Sequence, residues 1–207
     1  MLLPVNIHRP EWSQVRKVAA VIRQGTVVAT PTDTVYGLAA NPFNQRAVER
    51  IFRLKRRPET KPILLLIDEW ARLGPIARII PDALQPLAER FWPGPLTVIV
   101  PANSSLPDVV TAGTGNVAVR CPGSPFIRML SRALRLPVTG TSANLSGLAP
   151  AITPDEVVRQ FGARLCYVVD GGRSASRQVS TIVDLTGKPR VVRAGAIPAR
   201  ALEPYLR

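Results

Sequence analysis

The stretch Thr30–Pro62 reads TPTDTVYGLAANPFNQRAVERIFRLKRRPETKP, and the rest of the chain is organised around it. The β-branched run Thr26–Thr30 predicts a strand that ends at Pro31. A loop of small and hydroxyl-bearing residues follows to Asn41, and an amphipathic helix then leads into the basic cluster Lys55–Lys61. Hydroxyl groups and cations therefore lie at the two ends of one short helix, as a site for a small polar molecule beside a polyphosphate requires.

The helix inside this stretch is predicted from its cap and its periodicity. Asn44 is a suitable N-cap, because its side-chain oxygen can accept a hydrogen bond from a first-turn amide. The apolar residues recur at helical spacing. They are Ala47, Val48, Ile51, Phe52 and Leu54, and the opposite face carries Arg46, Glu49, Arg50 and Arg53.

Runs along the remaining chain predict strands that alternate with helices. The strands are predicted at Ile63–Ile67, Leu96–Val100, Val117–Val119, Val138–Thr141, Cys166–Val169, Thr181–Leu185 and Arg190–Arg193. Helices are predicted at Glu11–Gln24, Trp70–Ala77, Pro81–Phe91, Ser124–Leu134, from Thr153 to Phe161, and at Ile197–Arg207. This alternation predicts an α/β or α+β protein, and the segment Pro101–Gly115 is long enough to form a mobile lid. A chain of 207 residues can bury a core without a disulfide or a structural metal.

The composition favours a polyanionic partner. The chain carries 27 Lys and Arg against 14 Asp and Glu, a net charge of +13, which suits a nucleotide or RNA. The alternative is a basic surface that serves only solubility. Cys121 and Cys166 have no metal-ligand spacing and are expected to be reduced, buried thiols. We expect a cytoplasmic protein without a signal peptide or a membrane span.

Several catalytic classes lack the residues they need. His8 is the only histidine and lies near the N-terminus, where a surface position is expected, so a Ser-His-Asp or Cys-His catalyst is disfavoured. The chain contains no HExxH motif and no GxxxxGK[ST] phosphate loop, and Gly113–Gly115 does not extend to GxGxxG.

Cations and hydroxyls remain as the candidate chemistry. Lys55, Arg57 and Lys61 can converge on phosphate oxygens, although a charge run by itself more often forms a solvated face. Arg120 ends an apolar strand, and such an arginine faces either a ligand or a buried carboxylate partner.

Hydroxyl and amide groups also follow a predicted strand in the segment Thr139–Asn144. This position suits ligand binding at a sheet edge, with simple turn formation as the alternative. Ser180, Thr181 and Arg193 add two hydroxyls and another cation late in the chain.

Six motifs in this order resemble the YrdC-like threonylcarbamoyl-adenylate synthases. The motifs are Pro31–Leu38, Lys55-x-Arg57-Pro58 with Lys61-Pro62, Trp92–Thr97, Val117–Arg120, Ser142–Gly147 and Ser180–Asp184. The resemblance covers about residues 12–195, and it implies one YrdC-like domain over residues 1–207, the short form of the family. The implied fold is a twisted mixed sheet flanked by helices around a large open cavity.

The resemblance also implies the reaction. Such enzymes, nucleotidyltransferases, condense L-threonine, bicarbonate and ATP into threonylcarbamoyl-adenylate and pyrophosphate, and the product serves tRNA modification. It implies hand-over of the product to tRNA-modifying proteins, and tRNA binding is conceivable from the charge.

By the same resemblance, residue roles can be assigned. Lys55 and Arg57 would act in catalysis. The ATP-binding residues would be Lys55, Arg57, Lys61, Ser142, Asn144 and Arg193, and the threonine-binding residues would be Thr34, Arg120 and Ser180. Mg²⁺ is expected on the ATP phosphates, with no tightly bound organic cofactor.

Three positions bear on the finer details. Asp33 is expected to cap its turn, with assistance to Mg²⁺ as the alternative. Leu66 stands where some relatives carry histidine, and Asn116 stands where some carry threonine. Two other functions remain open: an RNA-binding module without chemistry, and a carbamoyl-adenylate step in another pathway, as in the hydrogenase-maturation carbamoyltransferase.

Overall fold

The computed structural model describes residues 1–174 and 178–206. Strands and helices alternate along these residues, so the predicted α/β class is confirmed. The strands are β1 Leu2–Pro4, β2 Val28–Thr30, β3 Gly37–Ala39, β4 Leu65–Leu66, β5 Leu96–Pro101, β6 Asn116–Arg120, β7 Val138–Thr139, β8 Thr141–Ser142, β9 Tyr167–Asp170, β10 Thr181–Asp184 and β11 Arg190–Arg193. The α-helices are α1 Trp12–Arg23, α2 Gln45–Lys55, α3 Leu84–Phe91, α4 Asp108–Thr111, α5 Pro125–Leu134 and α6 Pro154–Phe161.

The described strands form two mixed sheets where one was expected. The first sheet has the order β1-β9-β2-β3-β8, and the second has the order β11-β10-β5-β6-β4-β7. Parallel and antiparallel neighbours occur in both, such as β2 beside β9 and β2 beside β3 in the first sheet. Some strands that follow one another in the sequence, such as β3 and β4, belong to different sheets, so the two sheets share one core. The hydrophobic periodicity of the sequence does not reveal this division into two sheets.

The chain passes from one sheet to the other between β7 and β8. Thr139 of β7 forms hydrogen bonds to the first sheet. Its backbone amide donates to the carbonyl of Ala40, and its hydroxyl donates to the carbonyl of Leu38 in β3. Gly140 occupies the crossing point, where a Cβ atom would lie 2.5 Å from Cγ of Leu66. Leu66 is buried and cannot move away at low cost, so this close approach of the backbone requires glycine.

Helix α2 forms as its sequence predicts. The Asn44 side chain accepts a hydrogen bond from the amide of Ala47, and the helix ends where Arg56 adopts a left-handed conformation with φ of 51°. Its apolar face is buried in the larger of two hydrophobic clusters. Because the apolar stripe faces the core, the helix brings Lys55 at its C-terminal end to strand β8, where the ammonium group donates to the carbonyl of Ser142.

A second hydrophobic cluster packs helices α1 and α5 against strands of both sheets. Val15, Val18 and Ile22 of α1 are buried there together with Phe126 and Leu130 of α5. Ser124 caps α5 by accepting from the amide of Ile127, and Pro125 follows in the first turn, as predicted.

Some predicted elements differ in the structure. The predicted loop after Pro31 contains strand β3, whose small residues pair with β2 and are fully buried. The helix predicted over Trp70–Ala77 is only a 3₁₀ turn at Trp70–Arg72, and Pro101–Gly115 contains helix α4. Strand pairing and burial outweigh local propensity in such short segments.

Two further predictions concern the C-terminal segment and the cysteines. The helix predicted at the C-terminus consists of the 3₁₀ turns Ala199–Ala201 and Glu203–Tyr205, and Arg207 lies outside the described residues. Cys121 is buried as expected, whereas Cys166 is exposed. None of the helices in the described part of the chain has both the length and the apolar character that a membrane crossing requires.

Candidate active site

A cavity of about 220 Å³ lies where the two sheets meet. Its walls come from the Thr34 loop and strand β8 on one side and from strands β5, β6 and β10 on the other. Six of the residues predicted to bind substrates line this cavity: Thr34, Arg57, Arg120, Ser142, Ser180 and Arg193. The tertiary structure therefore brings together residues that are widely separated in the sequence.

The charged side chains that line the cavity are arginines. Arg57, Arg120 and Arg193 converge on it, and no carboxylate is among the described residues of its wall. Burial lowers the pKa of all three guanidinium groups, and the positive charge of Arg120 lowers the pKa of Arg193 further. Arginine nevertheless stays charged in proteins, so the cavity holds uncompensated positive charge that an anionic ligand would neutralise.

Arg120 is held by three different partners. Its side chain is only 3% exposed. Its Nε donates to the carbonyl of Gly94 over 2.8 Å, and one terminal nitrogen donates to Oδ2 of Asp33 over 2.5 Å. The other terminal nitrogen donates to the hydroxyl of Thr34 over 3.3 Å. Both interpretations of Arg120 from the sequence therefore hold: it lines the cavity and it pairs with a carboxylate.

The Thr34 loop orients its hydroxyl groups through a chain of hydrogen bonds. The Thr32 hydroxyl donates to the carbonyl of Val35, and its oxygen accepts from the amide of Thr34. The hydroxyls of Thr32 and Thr34 lie 3.0 Å apart. The hydroxyl proton of Thr32 is engaged in the hydrogen bond to Val35, so the Thr34 hydroxyl must donate to the oxygen of Thr32. Thr34 also accepts from Arg120. One lone pair of the Thr34 oxygen is therefore left for a donor group on a ligand.

Ser180 joins the cavity through a second hydrogen-bonded group. Its hydroxyl lies 2.8 Å from the hydroxyl of Thr97 and accepts from Arg193 over 3.0 Å. Arg193 also donates to the backbone carbonyl of Ser180 over 2.7 Å. Thr97 lines the cavity but was not predicted as a site residue. Its position inside the motif Trp92–Thr97 was the only signal in the sequence.

Arg57 has donors left over for a ligand. One terminal nitrogen donates to the carbonyl of Pro62 over 2.9 Å. Its Nε is buried and has no hydrogen-bond partner among the residues that the structure describes. A buried donor without a partner costs free energy, and an anion beside Arg57 would remove this cost. Lys61 is exposed and does not line the cavity.

Lys55 is not among the residues that line the cavity, and its side chain holds the turn that follows β8. Its side chain is 2% exposed, and its ammonium group donates to the carbonyl of Ser142, to the carbonyl of Asn144 over 2.9 Å and to Oδ1 of Asn144 over 3.2 Å. The Ser142 hydroxyl donates to the same Oδ1 over 2.6 Å. Lys55 and Asn144 therefore position Ser142, which is the member of this group that reaches the cavity.

Burial and the nearby charge of Arg57 lower the pKa of Lys55 to about 7. The unfolded chain, whose lysine has the ordinary value of 10.5, binds more protons than the folded chain between these two values. The free energy of unfolding is therefore expected to rise with pH above about 7. Because the pKa of Cys121 is raised to about 11, its opposite contribution begins only above about pH 9.

The test compares urea unfolding at pH 7, 8 and 9. The natural chain should gain up to about 1.4 kcal/mol of unfolding free energy per pH unit from this residue, and Lys55→Met should lose that gain. Lys17→Met, which changes an exposed lysine, should keep the pH dependence of the natural chain. A natural chain whose stability is flat or falling between pH 7 and 9 would contradict a buried lysine that titrates near neutrality.

Asp33 and Leu66 have roles that the sequence did not show. Asp33 pairs with Arg120 and also accepts from the amide of Gly123 over 2.9 Å. Leu66 packs against Gly140, and its neighbour Leu64 lines the cavity. Apolar residues such as Leu64 form part of the wall, and no motif distinguished them from the core.

A second cavity, of about 470 Å³, lies on the other side of the Arg120 segment. Its wall combines Trp70 and Trp92 with the carboxylates Asp68, Glu69 and Glu89. Carboxylates repel phosphate and carboxylate ligands, so this larger cavity does not suit an anion. The smaller, arginine-lined cavity is therefore the candidate active site.

Comparison with known proteins identifies relatives across nearly the whole chain. The Sua5/YciO/YrdC family model, described as "Telomere recombination", matches residues 20–195. The threonylcarbamoyl-AMP synthase of Pyrococcus abyssi is 37% identical over 206 residues, and that of Bacillus subtilis is 36% identical over 192 residues. The corresponding protein of Thiobacillus denitrificans is 41% identical over 170 residues.

The extent of the match differs among these relatives. The aligned region covers 98% of this chain but 60% of the P. abyssi protein, and 92% of this chain but 56% of the B. subtilis protein. For the T. denitrificans protein it covers 82% of this chain and 90% of the relative. The crystal structure of P. abyssi Sua5 complexed with L-threonine superposes on the whole chain with a TM-score of 0.95 at 36% identity, over 61% of that protein.

Proposed function

Because the chain belongs to the Sua5/YciO/YrdC family, we propose that it is a threonylcarbamoyl-AMP synthase of the nucleotidyltransferase class. It would convert L-threonine, bicarbonate and ATP into threonylcarbamoyl-AMP and pyrophosphate. The names of its relatives and the threonine complex of P. abyssi Sua5 support this reaction.

The observation that carries the proposal is the cavity in which three arginines meet oriented hydroxyl groups. Threonine carries a carboxylate and ATP carries a triphosphate, so both substrates bring negative charge to such a site. Neither histidine nor a metal-ligand cluster is required, because phosphoryl-type transfer depends mainly on positioning and on charge stabilisation.

In the proposed mechanism the amine of threonine first combines with bicarbonate, and water is lost as N-carboxy-threonine forms. An oxygen of the new carboxylate then attacks the α-phosphorus of ATP. The bond to the bridging oxygen breaks, and pyrophosphate leaves with the electron pair. The attacking group is already an anion, so the protein needs no strong base at this step.

We assign the threonine side of the cavity to Thr34, Arg120 and Ser180. Arg120 would bind the carboxylate of threonine through N–H groups that its protein partners leave unused. The free lone pair of Thr34 would accept from the ammonium or hydroxyl group of threonine. Ser180, fixed between Thr97 and Arg193, would supply a further polar contact.

We assign the ATP side to Arg57, Arg193 and Ser142, which line the cavity. Asn144 and Lys55 would support this side through the turn that carries Ser142. Catalytic roles for Lys55 and Arg57 remain part of the proposal, as does phosphate binding by the exposed Lys61. Arg57 is the strongest of these candidates, because it lines the cavity and its buried Nε lacks a partner within residues 1–174 and 178–206.

Magnesium would enter with ATP. The described residues contain no group of three His, Cys, Asp or Glu side chains that could hold a metal ion, and Asp33 is engaged by Arg120. We therefore propose that Mg²⁺ is bound by the phosphate oxygens, where it would neutralise their charge. No tightly bound organic cofactor is proposed.

The product would be used in tRNA modification. A mixed anhydride between a carbamate and a phosphate hydrolyses readily, so transfer to a tRNA-modifying protein is proposed to follow its release. We also propose that residues 1–207 form one domain and that the excess of Lys and Arg over Asp and Glu favours tRNA binding.

The decisive assay measures pyrophosphate release from ATP with Mg²⁺ and bicarbonate, with and without L-threonine. Release that depends on both threonine and bicarbonate is expected, together with a product that contains label from bicarbonate. Absence of threonine-dependent release would disprove the proposed function. Release that requires carbamoyl phosphate would instead indicate a carbamoyl-adenylate step, and salt-sensitive RNA binding without turnover would indicate an RNA-binding module.

A further inference from the structure

The loop that carries Thr34 also carries a partly buried carboxylate that does not line the cavity. Oδ2 of Asp33 accepts two hydrogen bonds. One comes from a terminal nitrogen of Arg120 over 2.5 Å, and the other comes from the backbone amide of Gly123 over 2.9 Å. Arg120 and Thr34 line the cavity, whereas Asp33 is not among its lining residues. Asp33 can therefore affect a ligand only through its neighbours.

The hydrogen bonds of Arg120 leave a specific pair of donors. A guanidinium has five N–H groups, and the three protein partners take one on Nε and one on each terminal nitrogen. One N–H group on each terminal nitrogen is then left over. Two N–H groups on the terminal nitrogens of one guanidinium are the donors that a bidentate contact with a carboxylate requires.

We propose that Asp33 is a positioning residue, which fixes the plane of the Arg120 guanidinium so that its two remaining N–H groups meet the carboxylate of the amino-acid substrate. Gly94 accepts from Nε over 2.8 Å, and the Thr34 hydroxyl accepts from one terminal nitrogen over 3.3 Å, a longer contact that constrains the guanidinium less. Asp33 supplies the second anchor, and the amide of Gly123 holds Asp33 in turn. This inference rests on the proposed function.

The charge of Asp33 supports the same role. Burial lowers the pKa of Arg120, and the adjacent carboxylate of Asp33 acts in the opposite direction. Asp33 thus compensates part of the cost of placing a cation in this buried position. The structure shows Asp33 paired with Arg120 and the amide of Gly123, while assistance to Mg²⁺ stays a prediction.

The test uses Asp33→Asn, which preserves the shape of the side chain and removes its charge. Steady-state pyrophosphate release should show a KM for threonine raised by roughly 10-fold to 100-fold, because small misplacement of a binding group is costly. The KM for ATP and the Mg²⁺ requirement should stay near those of the natural chain. Asp33→Glu should recover part of the loss, and the matched control Glu49→Gln, in an exposed pair with Arg53, should change neither KM.

A double-mutant cycle separates positioning from a general structural role. If Asp33 acts through Arg120, Asp33→Asn should add little to the threonine KM in an Arg120→Lys background. Gly123→Ala offers an independent route, because its Cβ would lie 3.1 Å from Oδ2 of Asp33 and push the carboxylate aside without removing it. This variant should raise the threonine KM by a smaller factor.

Several results would overturn the proposal. Additive effects of Asp33→Asn and Arg120→Lys would show that Asp33 acts independently, and a raised Mg²⁺ requirement would identify it as a metal contact. Equal changes in both KM values with a lower melting temperature would show a structural role only. If the natural chain itself releases no threonine-dependent pyrophosphate, the proposed function fails, whereas an active natural chain with an unchanged threonine KM in Asp33→Asn refutes this inference alone.

Discussion

Replacing Arg120 with alanine is expected to lower kcat/KM for threonine by about 100-fold to 1,000-fold, the largest effect of any single change in the site. The substitution removes the proposed partner of the substrate carboxylate. Loss of one member of a desolvated, hydrogen-bonded charge pair typically costs about 2–5 kcal/mol, and each 1.4 kcal/mol corresponds to a factor of ten.

The same substitution should also destabilise the fold. Asp33 would keep its partly buried position, with its side chain 20% exposed, but would lose the cation that faces it. Breaking a fully buried pair on one side costs about 3–5 kcal/mol, and the partial exposure of Asp33 should reduce this cost. Urea unfolding would measure the loss directly.

Two variants make the Arg120 result interpretable. Arg120→Lys keeps a positive charge but lacks the planar fork, so it should retain more stability than alanine while the threonine KM stays high. Arg190→Ala removes an arginine that also pairs with an aspartate, Asp184, at 3.0 Å, but this arginine is 73% exposed and outside the cavity. An Arg120→Ala protein that is folded and binds threonine normally would refute the assignment.

Replacing Arg57 with alanine is expected to reduce kcat/KM for ATP by at least about 100-fold, with a smaller effect on the KM for threonine. Arg57 lines the cavity, and its buried Nε has no partner within the described residues. We expect phosphate oxygens to occupy this donor, and a preorganised donor at a site of developing charge typically contributes about 3–4 kcal/mol.

The control for Arg57 is Arg53, which lies four residues earlier in the chain, inside helix α2. Arg53 is 68% exposed and contacts only Glu49, at 4.0 Å, among the ion pairs of the described residues. Arg53→Ala should therefore leave ATP kinetics unchanged, which separates a site-specific contact from a general loss of positive charge. The kcat/KM for ATP of Arg57→Lys should lie between the values of Arg53→Ala and Arg57→Ala, since lysine keeps the positive charge but lacks the planar guanidinium. Equal kinetics for Arg53→Ala and Arg57→Ala would remove Arg57 from the phosphate side.

These assignments show how unevenly the sequence predicts a site. Helix α2 and its cap follow from local rules, and so do the strands with β-branched runs, such as β5 and β6. Strand β3 was missed, because Gly37, Leu38 and Ala39 have no strand pattern and form a strand only by pairing with β2 and β8. Local propensity cannot report a pairing that depends on distant chain segments.

The individual site residues were easier to predict than their partners. Arg120 and Thr34 stood out by type and motif, and the structure places both on the cavity. Thr97 resembled an ordinary buried strand residue, although its hydroxyl lies 2.8 Å from that of Ser180. A hydroxyl on an apolar strand becomes a candidate only when its neighbours across the cavity are known.

The sequence by itself determined the class of fold, the amphipathic helix at its centre and the set of cations and hydroxyls from which the site is built. Only the tertiary structure decided which of them act together. Asp33 meets Arg120 across 87 positions of the chain, and Lys55 meets Asn144 across 89. Periodicity and capping act over a few residues, whereas these contacts exist because two sheets share one core and bring their edges together. Thr30–Pro62 thus supplies one wall of the cavity, and strands β5, β6 and β10 supply the other.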